Sequence, residues 1–568
     1  MEYSPAVQVV LDSPDTVDFV VRRTTYTDQI LGGDPRIIAT QTLLNRYTIC
    51  YTSEKNFAAL VAILGSSVVS AASLVLGLLD RPALEAANIL QVQQQPYLNL
   101  TGRGVLFGIV DSGIDYTLPV FRYEDGTSKI RYLYDQTISG QPPQGFFLGT
   151  DYTNEQISAA LNAPNPYDLV PSRDEAGHGT FLASIGAGRP QGDFIGAVPD
   201  AEIIAVKVRT ARPPYRRFYN VPDSQPFAYE SNAVMLGVEY ILKRARELRR
   251  PAAICLGMGT NSGGHDGYTL FEEYLGNVSG LIGICLCTAA GNESQARHHT
   301  QGLIPAKNAT QNIDIKVGEN AGDILINIWN GVSDRMEMAV RSPSGELVGP
   351  APPRSGTLQQ ANLVLENSTV SVEYYFPLDA TGSQLTLVKL YRATAGIWTI
   401  LLTGDIILDG TFHAWLPITG FVSPGVEFLS ATPYCTLTVP ATMMGSITCG
   451  AYNSSSNTLY PESSWGPNRL NLSALELVAP STNVGGFFPG GYGAMSGTSV
   501  ATAITAGGCA QMLQWGIVEG NDPGLSTYQA RAYLIRGCQR SENLKYPNQQ
   551  WGYGTLDLLQ TFQNMREL

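Results

Sequence analysis

Three apolar runs in this chain have no polar alternation and end in small residues: VLFGIV ahead of Asp111-Ser112-Gly113, AAICLGMG at 252–259, and LIGICLCTAAGN ending at Asn292. A strand that is apolar on both sides must be covered on both faces, which an antiparallel sheet with one wet face does not offer. AEIIAVKVR at 201–209 is another strand candidate. Between these strands SNAVMLGVEYILKRARELRR carries apolar residues at helical spacing and a basic last turn, as a helix C-terminus favours. Strands alternating with helices predict an α/β fold with a parallel, doubly wound sheet.

That pattern stops near residue 300. DIKVG, DILINIWNG, RMEMAVRSPSGELVG, STVSVEYYF, SQLTLVKLYR, GIWTILLTGD and GTFHAWLP are short, alternating and separated by turn residues. They predict an all-β sandwich of jelly-roll type. The α/β signal then returns with helices over ATAITAGGCAQMLQWG and YQARAYLIRG. The start of the chain differs again. Strand-like VDFVVRR and YTICYTS flank a loop containing Gly32-Gly33-Asp34-Pro35, and the helix EKNFAALVAIL leads to a strand SLVLGLL, an α+β unit. The expected organisation is a unit over 1–80, an α/β domain over 81–300 and 431–568, and a β domain inserted at 301–430.

The 23 residues Phe57 to Leu79 carry no charge and are long enough to span a bilayer. Gly65-Ser66-Ser67 interrupts them, so helix, turn and strand is the expected reading. The first residues lack a basic stretch followed by an apolar core, which predicts no signal peptide. A net charge of −13 argues against nucleic acid as a partner. Eight cysteines in 568 residues, mostly within apolar runs and without a CxxC pair, predict buried thiols rather than a disulfide frame or zinc site.

The residues able to do chemistry stand at the ends of the α/β strands, where such sheets hold their sites. Asp111 follows VLFGIV. His178 lies between glycines in GHGT. Asn292 ends AAGN, with an amide suited to a developing oxyanion. Ser499, in SGTSVATA, starts a helix, whose positive end favours an ionising hydroxyl. Each has a bland reading as turn, loop or cap. In the order Asp, His, Asn, Ser, each in its own context, they form the constellation of acyl-transfer catalysis.

VDSGID, GHGTFLASIGAG, AAGNES and MSGTSVATAITAGG resemble the four signature blocks of the subtilases, and SSWGP and LVAPS resemble two further stretches of that fold. The likeness covers about 82–295 and 430–568. After Ser499 the chain has Val-Ala-Thr-Ala where the family commonly has Met-Ala-Ser-Pro. Asn292 to Ser499 is 207 residues, and the surplus over a compact subtilase matches the β block. By length, the IDYTLPVF context and this insertion, the chain is most similar to the Csp-type subtilases of clostridial spore germination.

The resemblance implies a self-processing serine endopeptidase with catalytic Asp111, His178 and Ser499 and an oxyanion donor at Asn292. Leu256, Gly257 and Met258 would line one wall of the substrate cleft, with Gly291 and Glu293 near the primary specificity pocket. Glu293 either favours a basic substrate side chain or is a solvated carboxylate. The implied partners are a protein or peptide substrate, a cortex-hydrolase zymogen in the Csp setting, and the chain's own prodomain (1–80), which stays bound after a cut between Leu78 and Ala86, or second between Gln91 and Gln95. Neither nucleic acid nor a membrane span is expected. Synthesis would be cytoplasmic, with spore association implied by the resemblance. The alternative is a subtilase-fold pseudoenzyme or sensor acting by protein binding. No cofactor is implied; a structural calcium is left open and has no support in the sequence. His298-His299 resembles a metal pair but lacks a third ligand, His265-Asp266 reads as structural, and Arg216-Arg217 and Arg244 to Arg250 read as solvated patches.

Overall fold

The computed structural model describes residues 10–11, 13–64, 68–78 and 87–565. Its centre is a nine-stranded sheet. The strands Ile447–Asn453, Ile284–Ala289, Ala252–Leu256, Leu106–Asp111, Glu202–Lys207 and Ile130–Asp135 lie side by side in that order, each parallel to the next. Antiparallel strands, Thr150–Thr153 and Thr458–Leu459, close its two ends. Leu106–Asp111, Ala252–Leu256 and Ile284–Ala289 are buried at every residue, as runs without polar alternation require. Ser231–Leu248 packs against one side of the sheet, while His178–Ala187 and Thr498–Leu513 join a core cluster that includes Phe107, Ile109, Cys255 and Cys287.

The N-terminal unit has a three-stranded antiparallel sheet, Thr16–Arg22 beside Tyr47–Ser53 beside Ala39–Leu43, with the helix Glu54–Ile63. The charge-free stretch is thus a helix, a four-residue helical turn Val68–Ala71 and a strand Val75–Leu78; among the described residues no helix is long and apolar enough to cross a membrane. One expectation is corrected here. The stretch read as a loop holds a helix, Thr25–Gly33, because Thr24 caps it by accepting from the Thr27 amide at 3.1 Å. Gly32 and Gly33 end that helix rather than define a loop.

From His299 to Phe428 the chain forms two antiparallel sheets of six and five strands enclosing their own core of Ile326, Ile328, Val388, Trp398 and Ile400. This sandwich is tied to the α/β body by an aromatic stack. Trp415 is fully buried, its ring 4.1 Å from that of His265, and its Nε1 donates to the Cys435 carbonyl. All eight cysteines are buried free thiols.

Candidate active site

Asp111 is the last residue of its strand, His178 the first of a helix, and Ser499 lies in the first turn of the buried helix Thr498–Leu513. The fold brings all three together. His178 Nδ1 lies 2.7 Å from Asp111 Oδ1, and His178 Nε2 lies 3.2 Å from Ser499 Oγ. The Ser112 amide donates to the same Asp111 oxygen at 2.7 Å. All three residues are 0–1 % exposed. Close approach depends on two glycines. A Cβ on Gly179 would lie 2.2 Å from the Gly113 carbonyl oxygen, and one on Gly257 would lie 3.1 Å from both His178 Cε1 and Ser499 Cβ.

Asp174 was not singled out by sequence, yet it organises the site. Its Oδ1 accepts from Ser112 Oγ and the Gly177 amide, both at 2.8 Å, and its Oδ2 accepts from the Thr180 amide and hydroxyl. It therefore caps the start of the His178 helix and clamps that helix to the Asp111 turn. An acidic residue four positions before a helix-initiating histidine is the signal that could have revealed it.

Asn292 is half-buried beside Thr498. Its Oδ1 accepts from the Thr498 amide at 3.2 Å and from Thr498 Oγ1 at 3.1 Å, which fixes the amide with its acceptor side turned to the serine-bearing helix. The Gly291 amide donates to the same Thr498 hydroxyl, and Gly291 itself adopts φ +105 against Thr438. Leu256 and Met258 are buried on either side of Gly257.

The solvated reading of Glu293 is corrected by its surroundings. It is 2 % exposed; Oε2 meets His298 Nδ1 at 2.8 Å and accepts from Asn261 Nδ2, while Oε1 accepts from the Thr419 amide at 3.0 Å. Its carboxylate anchors the end of the sandwich. His298 and His299 face different partners, His299 Nε2 meeting His413 Nδ1 at 3.1 Å, and no group of three or more metal-binding side chains occurs among the described residues. Burial drives the His413 pKa down to about 3 and that of His265 to about 4, so both rings are neutral near pH 7. The arginine patches are also engaged. Arg244 and Arg250 pair with Asp151 and Glu202, and Arg216 Nη2 donates to two backbone carbonyls.

A strand of the chain itself lies along the segment that leads to the catalytic residues. The strand Val75–Leu78 runs antiparallel to both Met258–Gly259 and Tyr229–Glu230. The rest of the N-terminal unit is held by a buried ionic cluster. Arg209 Nη2 reaches Asp18 Oδ1 at 2.7 Å and Glu230 Oε2 at 2.6 Å, and Arg212 Nη1 donates to Asp18 Oδ1 at 2.7 Å. Burial pushes the Asp18 carboxyl up, but Arg209 and Arg212 outweigh it and hold its pKa below the usual range, whereas burial prevails at Glu230 and raises it. Residues 79–86, and with them nearly all of the first expected cleavage window, lie outside the described residues. The second window, Gln91 to Gln95, lies largely in the helix Ile89–Gln94, where Gln93 donates to the Gly196 and Ala197 carbonyls.

The profile of the Subtilase family matches residues 102–316 and 430–554, more than half of the chain, and the chain belongs to that family of serine proteases. Among solved structures it is similar to the CspB protease of Clostridium perfringens, at 29% identity and a TM-score of 0.74 over 85% of this chain and 98% of that one. The prenylagaramide maturation protease PagA (12% identity, TM-score 0.41, 84% and 98% covered) and MycP1 of Mycobacterium smegmatis (15%, 0.38, 85% and 88%) are more distant. A search of curated proteins finds no match.

Proposed function

We propose that the chain is an endopeptidase that cuts the peptide link to its own N-terminal unit, which stays bound, and then cleaves a protein zymogen, a cortex hydrolase, during spore germination. The continuous chain from Asp111 through His178 to Ser499, with an extended segment of the same molecule beside it, carries this reading. Ser499 Oγ attacks the peptide carbonyl while His178 Nε2 takes its proton. Asp111 holds Nδ1–H, fixes the tautomer and stabilises the imidazolium. The tetrahedral oxyanion is met by Asn292 Nδ2 and the Ser499 amide, at the positive end of the Thr498–Leu513 helix. The adduct collapses to an acyl-enzyme as His178 returns the proton to the leaving amine, and water reverses these steps to release the acid. Glycines at 179 and 257 admit the histidine and a substrate strand at this distance.

The N-terminal unit acts as a prodomain, and the sandwich stabilises the mature body. The zymogen substrate is what the resemblance to the Csp-type subtilases implies. One observation favours a second reading, a sensor that acts by binding: Ser499 is wholly buried with the cleft occupied. A fluorophosphonate probe separates the two. Labelling of Ser499 in wild type, absent in Ser499→Ala, supports the endopeptidase, whereas an unlabelled but folded wild type supports the sensor.

A further inference from the structure

The register of the strand in the cleft fixes what passes the nucleophile. Leu78 stands opposite Met258 and Gly77 opposite Gly259, so the register continued by one residue reaches Gly257, where an added Cβ would lie 3.1 Å from both His178 Cε1 and Ser499 Cβ. A peptide in this register meets Ser499 with the residue opposite Gly257, and Gly77 marks the position two residues before it. Gly77 lies in extended strand, which any residue can adopt, so conformation does not explain the glycine. Space does. A Cβ there would lie 2.5 Å from Ile418 Cδ1 and 3.3 Å from Phe421 Cε1. Both side chains are buried, 2 % and 5 % exposed, so neither can swing aside into solvent.

The segment carrying them cannot retreat easily. It leaves the sandwich strand Thr411–Trp415 and is pinned to the body at several points. Asn261 Nδ2 donates to the Leu416 carbonyl at 3.1 Å, the Thr419 amide donates to Glu293 at 3.0 Å, and the Phe421 amide closes a turn onto Ile418. Glu293, adjacent to Asn292, is thus a positioning residue for this segment. Immediately before Gly77, Leu76 is fully buried in the main core.

We propose that Ile418 and Phe421 form a specificity gate over the cleft, admitting only glycine two residues before the residue opposite Gly257. The substrate class is a protein segment with a buried aliphatic residue followed by glycine, as in Leu76-Gly77, then two residues up to the cut. This inference rests on the endopeptidase reading above.

The test follows self-cleavage of the full chain in a cell-free pulse–chase, on denaturing gels, with fluorophosphonate labelling of the same samples. Overpacking a site that tolerates little displacement should slow Gly77→Ala about tenfold and Gly77→Leu about a hundredfold. Gly77→Ala made in an Ile418→Ala background should cleave within about threefold of Ile418→Ala alone, so that the tenfold penalty of the added methyl disappears. Wild-type rates in Gly77→Leu overturn the gate while leaving the endopeptidase intact. Slowing that Ile418→Ala does not relieve also overturns it, because the defect then lies elsewhere. A wild type that is neither cleaved nor labelled overturns the endopeptidase reading, and the gate with it.

Discussion

Asp18→Ala removes the carboxylate at which two guanidiniums from the α/β body meet the N-terminal unit. Asp18 is fully buried, and its Oδ1 receives Arg209 and Arg212, both at 2.7 Å. Removing one partner of a buried ion pair costs about 3–5 kcal/mol, because the remaining charge stays desolvated. Arg209 keeps Glu230 at 2.6 Å, so the loss belongs at the lower end, about 3 kcal/mol. At 1.4 kcal/mol per decade, that is about a hundredfold larger population in which the unit has left the body and its strand has left the cleft. The assay is the labelling rate of Ser499 by a fluorophosphonate, with limited proteolysis of residues 13–64 alongside. Both should rise about a hundredfold in Asp18→Ala. The sign with pH follows from the lowered Asp18 pKa: its contribution is present above the ordinary carboxylate range and is lost as pH falls through the folded-state value. Wild type should therefore loosen below about pH 4, a step missing from Asp18→Asn. Unchanged labelling and proteolysis in Asp18→Ala would show that the cluster does not hold the unit in place.

Asn292→Ala should lower kcat by about 10²–10³ with little change in KM; an equal fall in Ser499 labelling with an intact melting transition checks it, and undiminished kcat contradicts it. Glu272 is buried and its pKa is pushed up to about 8, so its contribution is full below about 4.5 and is lost as pH rises through 8. Melting experiments from pH 5 to 9 should show a stability slope approaching about 1.4 kcal/mol per pH unit in wild type that Glu272→Gln lacks; identical slopes would refute the assignment. Trp415→Ala leaves a cavity between the sandwich and His265 and should cost about 3–5 kcal/mol, read as a lowered Tm and faster proteolysis of the sandwich. Unchanged values would show that the sandwich does not brace the body through this residue.

Much of this architecture was legible because its signals are local. Runs such as ICLCTA at 284–289 cannot sit on a wet surface, and they became the buried parallel strands. The alternation in QLTLVKLY at 384–391 marked a sandwich strand, although it is buried along most of its length between the two sheets and the body. The helix Thr25–Gly33 is masked in the sequence by its two closing glycines and a nearby proline, and only the Thr24 cap announces it. Asp111, His178, Asn292 and Ser499 stand out in the sequence because each has a distinctive short context at a strand or helix end. Asp174, with no such context, became visible only once the hydroxyls and amides around it were in place. The Asp18–Arg209–Arg212 cluster joins residues about 190 positions apart, and no local pattern reports such a pairing. Glu293 was undecidable for the same reason, since its partner Thr419 lies 126 residues away.

Expressing wild type and Ser499→Ala side by side tests the central claim most directly. If Ser499 is the nucleophile that severs the N-terminal unit from the body, wild type gives two fragments on a denaturing gel that co-elute in native gel filtration, with a new N-terminus between Leu78 and Ala86. Ser499→Ala then gives a single band near 61.2 kDa. The same two fragments from Ser499→Ala would contradict self-cleavage by this serine.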